Sequence, residues 1–491
     1  MSLGRLGLTL VDQISADKLA SAGVYDADAV ARAAEIVERV GSDGYETIRL
    51  MFPDQHGILR GKTIVARGLS SAFASGLGVP STLLLKDTSH RTAFPVWTED
   101  IALDALPLRG ANDVLLAPDP AAFYPLPWSP HSALILCDVL HRGGGPVGVS
   151  SRAVLSKAVA ALQNAGYDAL MGLETEFQVF EVTQDGLDHA QATMPPAPIT
   201  TRNTNAGWQY LTETRYGEAE ALLDDLRRTC EPMGLAPRSM EIEMGPSQFE
   251  FTFDPADPQT QADRAVLFRT MVKEVCHRNG LHASFMARPR LPNAAANGWH
   301  IHQSVQDRET GQNLFTPKAK TLTDTASGWI AGLLEHAEAS CLLTTPTVNG
   351  YKRYGPYQLA PNKIQWGRDN RGAMIRALCE PGDPASRLEN RVADSTANPY
   401  FAFAAQLLCG VDGVQRGLTP PPETTRPYDD GARKLPVTLG EAIAVFETSA
   451  FYRQKLGDGF VDYLAHLKHF EWNRYLAEIS EWEQAEYFNL Y

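Results

Sequence analysis

The stretch Gly172–Val182, GLETEFQVFEV, sets two glutamates two residues apart in a segment of strand composition. In an extended chain successive side chains point to opposite faces. Glu174, Glu176, Gln178 and Phe180 therefore share one face, and Leu173, Thr175, Phe177 and Val179 the other. Two carboxylates then stand side by side, roughly 7 Å apart at the backbone. Alone, such a pair reads as the wet side of a half-buried strand.

The pattern recurs. In SMEIEMGPSQFEFTF, Glu241 and Glu243 share a face, and after Gly245-Pro246 the polar set Gln248, Glu250 and Thr252 alternates with Phe249, Phe251 and Phe253. In NGWHIHQSV, His300, His302 and Ser304 alternate with Trp299, Ile301 and Gln303. In SRLENRVAD, Arg387, Glu389 and Arg391 alternate with Leu388, Asn390 and Val392. If these strands form one inward-facing curved sheet, Glu174, Glu176, Glu243, Glu250, Glu389 and His300 come together. So many carboxylates in a poorly solvated cleft raise one another's pKa and call for cations. Five oxygen ligands and one imidazole favour Mg²⁺ or Mn²⁺ over Zn²⁺, with two or more ions per site. Adjacent arginines beside such ions suit phosphoryl transfer.

Composition sets the frame. A chain of 491 residues, 44% hydrophobic and 21% charged, is long enough for two or more domains with a large core. The formal charge of -14 argues against a nucleic-acid surface, which needs a clustered basic stripe. With no apolar run of about 20 residues and no leader-like start, the expectation is a soluble cytoplasmic protein that does not engage a membrane. The six cysteines have no C-x-x-C spacing and read as buried thiols. GILRGKT, 57–63, imitates a phosphate loop but has one residue too few between its glycines, and reads as a hairpin or strand end.

The chain divides into an N-terminal extension (1–25), a small sheet-containing domain with a leading helix (26–141), and a catalytic domain (148–491), joined by the linker-like HRGGGPVGVS. The leading helix is expected near Ala29 to Val40, with Gly41 as its stop. Helices ending at Gly166 and Gly280 are expected before and after the glutamate-bearing strands, and more follow from Pro399 onward. The class is α+β.

GLETEF, GPSQFEF, NGWHIHQS, PTVNGYKR, DNRGAMIR and RLENRVADSTANPY occur in this order, and in them the chain resembles the glutamine synthetase family, closest in character to its γ-glutamyl-amine ligases, the γ-glutamylpolyamine and γ-glutamylanilide synthetases. The resemblance covers about residues 30–491. It implies an N-terminal β-grasp domain, a catalytic domain with a curved antiparallel sheet flanked by helices, and a homo-oligomer of stacked rings, a dodecamer, with active sites between subunits. It implies Glu176, Glu243 and Glu250 around one metal, with Glu174, His300 and Glu389 around a second. Arg353 and Arg391 would clamp glutamate's carboxylates, with Gly298 and His300 against the same substrate. His302, Ser304, Arg376 and Arg387 would contact ATP, and Arg371 would face the phosphoryl group in transit, so that Arg371 and Arg353 carry the catalytic charge. The implied reaction phosphorylates the side-chain carboxylate of L-glutamate and lets an amine displace the phosphate.

Two departures bear on the amine. Family members that use ammonia carry a glutamate on the flap after Y-K-R, whereas YKRYGPYQLAPNK offers Leu359, or Gln358 one residue earlier. They also carry an aspartate in a D-G-S-S type loop, which GVPSTLLLKDTSHRTAF lacks. A desolvated ammonium ion without a carboxylate partner is strongly disfavoured. An organic amine is therefore expected, with an aniline at least as plausible as a polyamine. The competing readings are a true glutamine synthetase and a catalytically silent relative. The tyrosine loop adenylylated in some bacterial members has no clear counterpart.

Overall fold

The structure, a computed structural model, describes residues 9–98, 101–103, 106–108, 110–355, 359–429 and 431–491. Two sheets organise it. The smaller has five strands in the order Leu59–Val65, Thr47–Pro53, Ser132–Leu140, Asp113–Pro125, Leu77–Pro80. Its Thr47–Pro53 and Ser132–Leu140 strands run parallel and the other neighbours antiparallel, the mixed arrangement of a β-grasp. The leading helix spans Ala27–Ser42, capped by Asp26, and buries Val30, Ala33, Ala34, Ile36 and Val40. It runs through Gly41, the residue expected to stop it; the left-handed glycine that follows its end is Gly44, at φ +74°. Of the expected N-terminal extension, residues 10–21 form two short helices whose Ile14 and Leu19 are buried in the core, so this part is packed in place.

The phosphate-loop imitation is a hairpin. Gly57 turns it at φ +68°, and Gly61 lies where a Cβ would sit 1.9 Å from the Leu50 carbonyl oxygen. The second glycine is thus required by close strand approach.

The larger sheet has nine strands. Its main path runs Pro237–Ile242, Gln248–Phe253, Tyr167–Val182, Trp299–Asp307, Arg387–Asn390, Ile375–Leu378, Trp366–Arg368, with Thr201–Asn203 and Leu281–Ser284 added along the far end of the long strand Tyr167–Val182. All pairs are antiparallel except the last, Trp366–Arg368 with Ile375–Leu378. The register aligns the polar stripes across strands: Glu241 opposite Glu250, Glu250 opposite Glu176, Glu174 opposite His300, and Glu389 opposite both His302 and Arg376.

The apolar stripes face a helix layer. Phe177, Phe251 and Phe253 pack with Phe268 of the helix Pro258–Arg278, and Phe249 packs with Phe177; the Phe177 and Phe285 rings stack at 5.1 Å. Such rings add specific geometry to their large area of burial. The helices Ser151–Asn164 and Pro258–Arg278 are followed by Gly166 and Gly280, both with positive φ, as the sequence leads one to expect. All six cysteines are buried and unpaired. Among the described residues no helix is long and apolar enough to cross a membrane.

Arg152 ties the two sheets' surroundings together. Its guanidinium, buried, donates to Asp138 at 2.8 Å, to Asp263 at 2.6 Å and to Asp119. Tyr400 Oη donates to the other Asp263 oxygen at 2.6 Å. Removing one side of a buried ionic network leaves uncompensated charge. Arg152→Ala is expected to destabilise the fold by about 3–5 kcal/mol, read as a lowered apparent Tm in thermal unfolding.

Candidate active site

Adjacent strands deliver the acidic side chains to one place. Glu176 Oε2 accepts hydrogen bonds from the Gly298 N–H at 2.9 Å and Gln248 Nε2 at 3.1 Å. Glu174 sits between two imidazoles: one oxygen contacts His300 Nδ1 and the other lies 2.9 Å from His302 Nε2. His300 Nδ1 is also 3.8 Å from Glu389 Oε1, and its Nε2 is 4.0 Å from Glu176 Oε1. Glu389, fully buried, accepts from Arg376 at 3.0 Å and from Arg391.

Two sets of donor atoms lie close enough to share an ion. One is Glu174, His300 and Glu389; the other is Glu176, Glu250 and His300. His300 stands between them. Glu243, expected alongside Glu176 and Glu250, lies just beyond the Pro237–Ile242 strand, with its carboxylate accepting from the Met244 N–H at 3.0 Å, and is outside both tight sets.

The charges behave as crowded carboxylates do. Burial, then the Glu176 carboxylate, pushes Glu243 up to about 8. Burial, followed by Glu174 and Glu176, holds Glu250 well above the carboxylate range. On the other side, burial acts to raise Glu174 but is outweighed by His300 and His302; at Glu389 it is outweighed by Arg391, His300 and His302. The protein's own cations thus neutralise one half of the cluster and leave the other half short of positive charge. Oxygen donors with one imidazole fit a hard divalent ion there.

Next to this cluster are two buried arginines with spare donors. Arg353 gives one N–H to the Val392 carbonyl at 3.0 Å, and among the described residues neither its Nε nor that of Arg391 has a partner. Unpaired buried donors fit a ligand carboxylate. Gly298 forms the floor: a Cβ there would lie 3.0 Å from both Glu176 Oε1 and His300 Nε2, and 3.3 Å from an Arg353 terminal nitrogen. Any larger residue would fill the space those three groups enclose. Ser395 Oγ fixes this floor by donating to the Glu176 and Gly298 carbonyls at 2.6 and 2.9 Å.

A cavity of about 510 Å³ adjoins the cluster and is lined by Glu174, His302, Ser304 and Arg387, joined by Arg238 and Phe253. Arg387 Nε donates to His302 Nδ1 at 3.3 Å. Arg376, expected with the nucleotide contacts, does not line this cavity; it is held between Glu389 and Asp369, the latter at 2.9 Å. Arg238 sits at a bulge between Pro237 and Ser239, which breaks the alternation and leaves it no periodic signal in the sequence.

Beside Glu243 lies a group that periodicity did not reveal. Trp208, Tyr210, Leu211 and Met244 are 54%, 49%, 56% and 41% exposed, high for apolar side chains beside an acidic cluster. Trp208 and Leu211 adopt left-handed φ, +59° and +56°. Bulky residues keep such a conformation only when surroundings enforce it. Here Trp208 N–H donates to the Met244 carbonyl at 2.8 Å and Leu211 N–H to the Ile242 carbonyl at 3.2 Å. The loop is thereby pinned to the segment that carries Glu243. The Tyr210 hydroxyl is pushed up to about 12 by burial and then by Glu243 and Glu250, while Arg371, exposed, acts in the opposite sense. Leu359 is exposed at φ +52°; Gln358 lies outside the described residues.

A family model described as the glutamine synthetase catalytic domain matches residues 148–487. The γ-glutamylanilide synthase of an Acinetobacter species is 34% identical over 476 residues, spanning 93% of this chain and 95% of its own. A glutamine synthetase of Halobacterium salinarum is 31% identical over 471 residues, spanning 92% and 95%. The solved structure of apo GmaS superposes with a TM-score of 0.77 at 27% identity, over 92% of this chain and 99% of that one, and a GmaS/ADP complex with a TM-score of 0.76 at 25% identity, over the same shares.

Metal ligands must shed protons to bind. With Glu243 titrating near 8, Mn²⁺ affinity is expected to rise as pH increases from about 6 to 8, with proton release measurable by calorimetry in buffers of different ionisation enthalpy. Replacement Glu176→Gln is expected to abolish one tight Mn²⁺ site by electron paramagnetic resonance, and to lower turnover by about 10²–10³-fold with every amine.

Proposed function

We propose, on the premise that the chain belongs to the glutamine synthetase family of ATP-dependent ligases, that it joins the γ-carboxylate of L-glutamate to an aromatic or other hydrophobic amine. The single observation that carries the choice of amine is the exposed apolar loop Trp208, Tyr210 and Leu211, pinned beside Glu243 and near Arg371. The name of the Acinetobacter relative, γ-glutamylanilide synthase, supports the same reading.

In this reading Arg353 and Arg391 hold glutamate's carboxylates against Gly298, whose missing Cβ leaves room for the substrate. Glu174, His300 and Glu389 would hold one divalent ion, and Glu176 and Glu250, with Glu243 at their side, would hold the other. Bound there, such ions neutralise the phosphate oxygens and the charge that develops in transfer. His302, Ser304 and Arg387 contact the nucleotide. Arg376 restrains Glu389, and Arg371 offers its exposed guanidinium to the phosphoryl group. The glutamate side-chain oxygen attacks the γ-phosphorus and ADP leaves. The amine nitrogen, arriving as the free base, then attacks the acyl carbon of γ-glutamyl phosphate; phosphate leaves and the nitrogen loses one proton. The protein works as stacked rings, a dodecamer with sites between subunits, in the cytoplasm where ATP and glutamate are supplied.

Hydrophobic amines suit this site for two reasons. An aniline is already neutral near pH 7, so it needs no acid to draw it in and no strong base to deprotonate it. Its ring also gains by burial against Trp208 and Leu211, at about 25 cal/mol per Å² of apolar surface. Leu359 stands on the flap where an ammonium-holding glutamate would be needed.

The discriminating experiment measures phosphate release with ATP, Mg²⁺ and glutamate against ammonium, alkylamines, polyamines and anilines. Aniline is expected to exceed ammonium in kcat/KM by about a hundredfold or more; the reverse order would favour the ammonia reading, which the name of the Halobacterium relative supports. Trp208→Ala is expected to raise the KM for aniline about tenfold while leaving the KM for glutamate unchanged, because only the ring contact is lost.

A further inference from the structure

A second cavity, of about 750 Å³, opens between the small-sheet hairpin turn at Gly57 and the helix Pro258–Arg278. None of the acidic cluster, Arg353 or Arg391 lines it. Its volume is that of a pocket for a small organic molecule. One wall is apolar, formed by Phe285, Leu342, Leu343, Phe401 and Leu464. The lining also carries Arg269 and Lys273, one helical turn apart, and His282.

Arg269 and Lys273 are unusual for lacking anions. Arg269 spends its terminal nitrogens on backbone carbonyls, those of Gly57 at 3.0 Å, Ser395 at 3.2 Å and Ala397 at 3.0 Å. Among the described residues no carboxylate lies within ion-pair distance of Arg269 or Lys273. The other two strong cations of the lining are matched, Arg60 by Asp54 at 2.5 Å and Lys468 by Glu471 at 3.0 Å. One lining residue, Glu274, is acidic. Lys273 is accessible from the cavity, yet burial and then Arg269 lower its pKa, and burial and then Lys273 lower that of His282. In a chain of net charge -14, a local surplus of positive charge in a concave apolar setting concentrates anions.

We infer that this cavity is a regulatory site for an organic carboxylate with an apolar body, its carboxylate on Lys273 and Arg269 and its body against Phe285 and Leu343. A bare phosphate would leave the apolar wall unfilled. The site communicates with the active site through Ser395. Ser395 and Thr396 line the cavity, Arg269 holds the Ser395 carbonyl, and Ser395 Oγ fixes the carbonyls of Glu176 and Gly298. A ligand that draws on Arg269 therefore loads the residue that sets the floor of the glutamate pocket.

Benzoate is the probe, titrated calorimetrically into the intact assembly at saturating glutamate, which occupies the catalytic arginines, with inorganic phosphate as a parallel arm. Benzoate is expected to bind saturably and to change the KM for glutamate. Lys273→Glu, at an accessible position that touches none of the catalytic groups, is expected to weaken benzoate binding by about tenfold or more and to remove the KM effect, with turnover in benzoate's absence unchanged. Lys273→Gln should lie between. Absence of saturable benzoate binding, equal affinity in Lys273→Glu, or binding of phosphate in preference to benzoate overturns the assignment, and binding without a change in KM overturns the regulatory coupling.

Discussion

The pairing register of the long strand Tyr167–Val182 is the constraint on which the rest depends. Side chains alternate with a period of two, so a slip of one residue against either neighbour would turn Glu174 and Glu176 into the aromatic layer and Phe177 into the site. The register holds Glu250 opposite Glu176 and His300 opposite Glu174. Phe177 and Phe251, packed against Phe268, and Phe249, packed against Phe177, fix that register from the opposite face. The hydrophobic core and the acidic site are thus two sides of one choice of alignment.

That alignment creates an electrostatic deficit which the chain meets only in part. Arg376 and Arg391 satisfy Glu389, and the two histidines satisfy Glu174, while Glu243 and Glu250 are left raised in pKa. Members of the glutamine synthetase family use ATP with divalent metals, and in the proposed function such ions would supply the missing charge. Binding of such ions would be coupled to deprotonation of the raised carboxyls.

Much of this was legible in the sequence, for an identifiable reason. Period-two stripes survive as long as strands stay regular, so Glu174, Glu176, Glu250, His300 and Glu389 could be grouped before any coordinates. Family motifs then ordered them. What stayed hidden depends on irregular backbone or on tertiary partners. Trp208 and Leu211 matter because of left-handed φ and cross-loop hydrogen bonds, neither of which leaves a periodic trace. Arg376 reads in the sequence as a nucleotide contact, and its partners Asp369 and Glu389 emerge only in the fold. Gly41 looked like a helix stop because glycine permits termination without compelling it, and the chain ends the helix just before Gly44. Ile14 and Leu19 are too widely spaced to announce a packed segment, yet both are buried.

The central claim, that one strand serves two cations from adjacent glutamates, is tested most directly by anomalous scattering from crystals grown with Mn²⁺ and ADP. Two manganese peaks are expected, one at about 2.1 Å from oxygens of Glu174 and Glu389 with His300 as its nitrogen ligand, the other similarly close to Glu176 and Glu250. A single peak, or peaks coordinated by neither Glu174 nor Glu176, would contradict the account.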